Sequence, residues 1–237
     1  MRIVQVQHMY QLTFMPRLFP VNCYLVEEND GFTLIDAGLP YSAKGIEQAA
    51  ARMGKPIIRI VFTHAHEDHV GALDRLKVRN PDAQVFVSRR DARLLRGDVS
   101  LEAGEPDTPI RGSVPKGILT RPDVLLEDGD HVGSLLAISA PGHTPGSMAF
   151  LDMRTRALIA GDAFQVRGGV AVSGRLKPLF PFPALATWNK DRSLESAKKL
   201  AHLKPSLLAV GHGNMLQYPQ TQLERAIKDM EQQYTAQ

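Results

Sequence analysis

The chain has 237 residues and a formal net charge of +3, with 22% charged and 43% hydrophobic residues. These values sit near those of an ordinary globular domain, and the length suits one domain over residues 1–237. A single cysteine, Cys23, excludes an intramolecular disulfide, and no apolar run approaches the roughly 18 residues of a membrane helix. The small charge excess does not mark a nucleic-acid surface. Its most basic run, Ser88-Arg89-Arg90-Asp91-Ala92-Arg93, reads as a solvated helix start.

Met1-Arg2-Ile3-Val4-Gln5-Val6-Gln7-His8 alternates apolar and polar residues and lacks the continuous apolar core of a secretion signal. A cytoplasmic location is therefore expected. Residues 21–26 and 32–35 are β-rich runs joined by Glu28-Asn29-Asp30-Gly31, a hairpin signal. Residues 41–53 carry Ile46, Ala49, Ala50 and Met53 at helical spacing, closed by Gly54 and Pro56. The apolar run 57–62 fits a strand buried on both faces. Residues 70–79 read as a helix, 84–87 as a strand and 89–96 as a short helix.

Residues 97–122 read as a long loop, which is usually functional or mobile. Strands are expected at 124–126, 131–132, 135–139, 147–151 and 157–159. A second irregular stretch, 164–186, precedes a helix at 187–203, a strand at 206–210 and a final helix opened by Pro219. The order predicts two strand-rich halves covered by helices, an α/β sandwich.

The informative feature is histidine. There are eight, and three fall in Thr63-His64-Ala65-His66-Glu67-Asp68-His69. Three imidazoles and a carboxylate this close would be costly to bury without partners. At a strand end they can converge on one ion, because His64 and His66 share a side of an extended chain. Asp68 and His69 then follow where the chain turns into a helix. Such ligands suit zinc, iron, manganese or cobalt. Other candidates also follow strands and glycines: His143 in Pro141-Gly142-His143-Thr144-Pro145-Gly146, Asp162 in Gly161-Asp162, and His212 in Gly211-His212-Gly213. Open α/β sheets place ligands beyond strand ends. Cys23 reads as a small core residue.

Together with Leu34-Ile35-Asp36-Ala37-Gly38, these residues resemble the pattern of the metallo-β-lactamase superfamily. The resemblance implies a four-layer αβ/βα sandwich with the site at one edge. It implies one metal on His64, His66 and His143, a second on Asp68, His69 and His212, and Asp162 bridging them. Asp36 is implied as the residue that orients a ligand histidine. The cofactors expected are two divalent ions, zinc first, with iron or manganese also suited. A metal-bridging hydroxide would then attack an ester, thioester or lactone, with Asp68 as proton shuttle. Alternatives are a phosphodiesterase, a mono-iron enzyme similar to persulfide dioxygenases, and a non-catalytic metal-binding protein.

The motifs around His143 and Asp162 are similar to those of glyoxalase II, whose further C-terminal helical region has no counterpart in the 25 residues after His212. Acyl-homoserine-lactone lactonases place tyrosine where this chain has Gln165. Class B β-lactamases place cysteine where it has Asp162. The stretch from Thr187-Trp188-Asn189 to His212 resembles small metallo-hydrolases. The expected partner is a small-molecule substrate, with Phe164, Phe180, Phe182 and Trp188 lining its pocket. Those aromatics could instead be core or dimer contacts, so a homodimer stays open.

Overall fold

The structure, a computed structural model, describes residues 1–235. The first half builds a seven-stranded sheet. Strands β1 (Arg2–Val6), β2 (Met9–Phe14), β3 (Val21–Glu27) and β4 (Phe32–Ile35) pair antiparallel in succession. Helix α1 (Ala43–Arg52) crosses over to β5 (Ile57–Val61). Helices α2 (Glu67–Val70) and α3 (Leu73–Arg79) lead to β6 (Gln84–Ser88), and α4 (Asp91–Leu94) follows. Strand β7 (Val124–Leu126) closes the sheet, with β4 to β7 parallel.

The second half contributes β8 (His131–Val132), β9 (Leu135–Ser139), β10 (Met148–Asp152) and β11 (Ala157–Ile159), antiparallel in succession. A small hairpin, β12 (Phe164–Gln165) with β13 (Ala171–Val172), interrupts the stretch expected to be irregular. Then come α5 (Phe182–Leu185), α6 (Lys190–His202), β14 (Leu207–Ala209), β15 (Leu216–Gln217) and α7 (Gln220–Thr235). The second sheet has the order β15-β14-β11-β10-β9-β8, with β11 and β14 parallel.

Strand alternation makes the layers. On β3, Cys23 and Leu25 face a core shared with Ile46 and Ala49 of α1, while Tyr24 and Val26 face the other sheet. On β10, Ala149 and Leu151 join Leu200 of α6 and Leu223 of α7, while Met148 and Phe150 meet the first sheet. Each sheet is thus covered by helices on one face and by its partner on the other, which explains strands that are apolar on both sides. The expected αβ/βα sandwich is the architecture observed. Among the described residues, no helix is long and apolar enough to cross a membrane.

Three local expectations are corrected. The helix expected at 70–79 is two helices, because Gly71 N–H donates to the Gly38 carbonyl (2.9 Å) rather than continuing the first turn. Asp68 and His69 therefore lie inside α2 instead of ahead of the helix. The helix expected at 187–203 begins at Lys190, where Asn189 accepts from Arg192 N–H (2.9 Å) as its cap. The run 88–93 is not a solvated helix start: Ser88 and Asp91 are buried, and Arg90 and Arg93 pair with Glu105 and Asp98.

Phe150 lies fully buried between the sheets. Phe150→Ala is expected to cost about 3–5 kcal/mol, read as a lowered urea midpoint with an unchanged m-value.

Candidate metal centre

Five of the seven candidate ligands stand just beyond the C-terminal end of a strand, and Asp68 and His69 stand on α2. His64 and His66 follow β5, His143 follows β9, Asp162 follows β11 and His212 follows β14. Parallel pairing of β4–β5–β6 and of β11–β14 brings these ends to one edge. The halves are stitched together there by Met148 N–H to the Thr63 carbonyl (2.7 Å) and Asn22 N–H to the Gly211 carbonyl (2.9 Å).

The seven predicted residues form one cluster. His64, His66 and His143 offer nitrogens within 4.8 Å of one another, and so do the donor atoms of Asp68, His69 and His212. Asp162 lies between the sets, with Oδ2 3.4 Å from His143 Nε2 and 3.1 Å from His212 Nε2, and Oδ1 3.6 Å from His69 Nε2. All are buried except Asp68, whose side chain keeps 22% of its exposure.

Each imidazole is tethered through one nitrogen, which leaves the other for the centre. His69 Nδ1–H donates to Asp36 Oδ2 (2.8 Å), and His212 Nδ1–H to the Pro20 carbonyl (2.7 Å). Thr63 Oγ1 donates to Asp36 Oδ2 (2.8 Å), so it accepts from His64 Nδ1–H (3.1 Å). A hydroxyl relay fixes His143: Thr187 donates to the Pro183 carbonyl, Ser173 donates to Thr187, and Ser173 accepts from His143 Nδ1–H (3.0 Å). His66 is reversed. Its Nε2–H donates to the Arg111 carbonyl (2.9 Å), leaving Nδ1 inward, 3.0 Å from His143 Nε2.

Three buried atoms inside this cage, His64 Nε2, His69 Nε2 and Asp162 Oδ1, have no hydrogen-bond partner. Unpartnered buried donors and acceptors are costly, and cation coordination would satisfy them, so the donor set fits a metal. Burial holds the His64 and His66 pKa values below the usual range and depresses His143 to about 3. Burial also opposes charge on His69, but Asp36, Asp68 and Asp162 outweigh it and raise that pKa to about 10. His212 is raised, against burial, by Asp162. The carboxylates therefore make a field that favours positive charge.

The sequence singles out Asp36 and the candidate ligands but not the groups that place their loops. Asp91 is fully buried and accepts from Ala65 N–H (2.9 Å), Thr144 Oγ1 (2.7 Å) and Gly146 N–H (2.8 Å). It thereby joins the 64–66 and 143–146 segments. Asn22, Tyr24 and Gln11 donate to the carbonyls of Val210 and Gly213 that flank His212. Gly211 has to be glycine, since a Cβ there would overlap Asp162 Oδ1 and crowd His69.

The cluster opens into a cavity of about 480 Å³ lined on its apolar side by Phe19, Leu39, Pro40, Phe182, Pro183, Leu185 and Ala186. Of the four aromatics expected there, only Phe182 lines it. Phe164 is core, and Phe180 is buried against Phe19, Phe182 and the His212 ring. Trp188 is buried with its indole N–H on the Thr108 carbonyl (2.8 Å). Gly112 and Ser113 of the long loop complete the wall.

Asp91→Ala strands two buried N–H groups, at about 1–3 kcal/mol each. Chemical denaturation is expected to show that loss, and metal titration a weakened first-metal affinity. Unchanged values in both would remove Asp91 from this role.

Comparison with known proteins agrees with this geometry. The family model described as the metallo-beta-lactamase superfamily matches residues 16–212. The chain is 59% identical to the protein named YobT of Bacillus subtilis (strain 168), over 96% of this chain and 98% of that one. It is 32% identical to "Probable metallo-hydrolase YflN" of the same organism, over 81% of this chain and 80% of the relative. A hydroxyacylglutathione hydrolase of Gloeobacter violaceus is 31% identical over 54% of this chain and 43% of its own length. Among solved structures, TTHA1623 in a di-iron-bound form aligns with a TM-score of 0.66 and 28% identity, covering 89% of this chain and 95% of that one. The chain therefore belongs to the metallo-beta-lactamase superfamily, as one of its metallo-hydrolases.

Proposed function

We propose that this chain is a binuclear metal-dependent hydrolase of an ester, thioester or lactone. His64, His66 and His143 would hold one divalent ion, Asp68, His69 and His212 a second, and Asp162 would bridge them. The observation that carries this reading is that five imidazoles, each tethered through one nitrogen, turn the other into one cluster with Asp68 and Asp162. Outer tethers of this kind set tautomer and ring orientation at metal sites. Zinc suits the nitrogen and oxygen donors, and a similar chain is described in a di-iron form, so iron is the second expectation.

A divalent ion held by these residues would supply a water whose pKa is lowered from about 15.7 to about 7, and a Lewis acid for the substrate carbonyl. The chain's own residues supply position and proton handling. Asp36 holds His69 through Nδ1, and Thr63 both receives His64 and is received by Asp36. Asp68 is the one acidic member of the cluster that is partly exposed, and it also lines the cavity. It faces both the cluster and the cavity, which supports its role as carrier of the proton to the leaving group. Cys23 is buried and its thiol pKa is pushed up by burial, so it offers no nucleophile.

Purified protein is expected to contain two equivalents of metal. Chelation should abolish hydrolysis, and metal return should restore it. His66→Ala and Asp162→Ala should lower kcat/KM by more than the roughly 10–100-fold cost of losing an outer tether. If wild type cleaves thioesters, esters and lactones no faster than both variants, this reading fails. One equivalent of iron would instead favour the mono-iron alternative.

A further inference from the structure

The cavity beside the metal centre has a charge pattern that speaks to substrate class. We propose, resting on the hydrolase reading above, that this site selects neutral substrates carrying an apolar acyl chain, and discriminates against those with carboxylates away from the reacting bond.

Two independent features carry this. The first is the wall. Phe19, Leu39, Pro40, Phe182 and Leu185 give the cavity a largely apolar lining. Phe182 and Leu185 remain 51% and 59% exposed. Large apolar side chains held in solvent at the rim of a site gain by contact with an apolar ligand. Phe19 and Phe180 pack against the Phe182 ring at 5.2 and 5.3 Å and support it at the cavity.

The second is the charge on the lining. Glu67, Asp68 and Asp162 line the cavity, and among the described residues no lysine or arginine does. The Glu67 carboxylate accepts from Ser113 Oγ (2.6 Å), which holds it at the rim. Arg111 and Lys190 line a separate depression with Trp188, while the Arg111 carbonyl serves His66. A substrate carboxylate outside the metal centre would therefore find no cationic side chain and would meet Glu67. Desolvating an unpaired carboxylate is costly, whereas an alkyl chain gains by leaving water. In the reaction, water adds to the thioester carbonyl carbon, the C–S bond breaks, and a carboxylate, a thiol and one proton result.

The test compares matched thioesters on metal-loaded protein: S-acyl-N-acetylcysteamine, which is neutral, and S-acylglutathione, which carries two carboxylates, each with acetyl to octanoyl chains. The neutral series is expected to be preferred at least tenfold in kcat/KM. Its kcat/KM should rise about fourfold per methylene until the wall is covered, as expected for moving a CH₂ out of water. Phe182→Ala and Leu185→Ala should reduce the octanoyl-to-acetyl ratio of kcat/KM. The thioethers S-octyl-N-acetylcysteamine and S-octylglutathione cannot be cleaved, and calorimetry should place them in the same order.

Equal or better use of glutathione thioesters, or no dependence on chain length, overturns the selectivity and leaves the hydrolase reading standing. No cleavage above metal-free protein, with the neutral thioether still bound more tightly, overturns thioester hydrolysis and leaves the selectivity standing. Failure of both cleavage and thioether discrimination overturns both.

Discussion

The site depends on one buried carboxylate that is not itself among its candidate ligands. Asp91 accepts from Ala65, between His64 and His66, and from Thr144 and Gly146, which follow His143. The first segment leaves the seven-stranded sheet and the second leaves the six-stranded one. Packing between sheets is apolar and non-directional, and it does not by itself fix two loops to within a few tenths of an ångström. A carboxylate that accepts three hydrogen bonds does. Burial raises the Asp91 pKa, while its hydrogen bonds pull the other way. The side chain thus keeps its acceptor role only while those loops stay where they are, so loop geometry and carboxylate hydration constrain each other.

Asp36 plays the matching part on the other side of the cluster. It holds Thr63 through backbone N–H and hydroxyl, and His69 through Nδ1. It does so from a left-handed backbone, φ +60°, a conformation that aspartate tolerates better than most side chains. Strain of this kind persists where surrounding contacts over-determine it. The two carboxylates divide the labour. Asp91 sets the distance between ligand segments, and Asp36 sets the orientation of rings. The acids Asp36, Asp68 and Asp162 then supply the field that raises His69, whereas His64, His66 and His143 stay below the usual range through burial. The candidate ligands therefore divide into a histidine set, His64, His66 and His143, and an acid-rich set around His69 and His212, with Asp162 between them.

The ligand set was legible because its chemistry is local. Four candidate ligands in six residues, and glycine before Asp162 and His212, can be read without knowing any distant contact. The apolar run 57–62, broken only by Arg59, made the two-sided burial of β5 legible for the same reason. Asp91 was not, because an acid among arginines looks the same in sequence whether it is solvated or buried. Gln11, Asn22 and Tyr24 were not, because their partners lie near His212, almost the whole chain away. The pocket wall failed for a third reason. Aromatic content told which residues are large, but whether Phe180 or Phe182 reaches the cavity depends on where α5 begins, and Phe19 enters from the connection between β2 and β3.

That last failure separates what the fold can carry from what it cannot. Five of the candidate ligands stand at strand ends, so any chain that keeps the two sheets keeps the edge on which they converge. The wall is built from the β2–β3 connection, the long loop at 112–113 and α5, segments whose conformations the sheets do not dictate. Likeness to metallo-hydrolases and to a hydroxyacylglutathione hydrolase therefore bears on the centre, whereas substrate preference has to be argued from the side chains that face the cavity. Apart from Ser113 and the candidate-ligand histidines, those side chains are apolar or acidic. Two divalent ions would draw any anionic group to the centre itself, so recognition of an anion elsewhere on the substrate would need its own cation on the wall. Among the described residues the wall has none, and the selectivity of the site rests on the part of the substrate that is not hydrolysed.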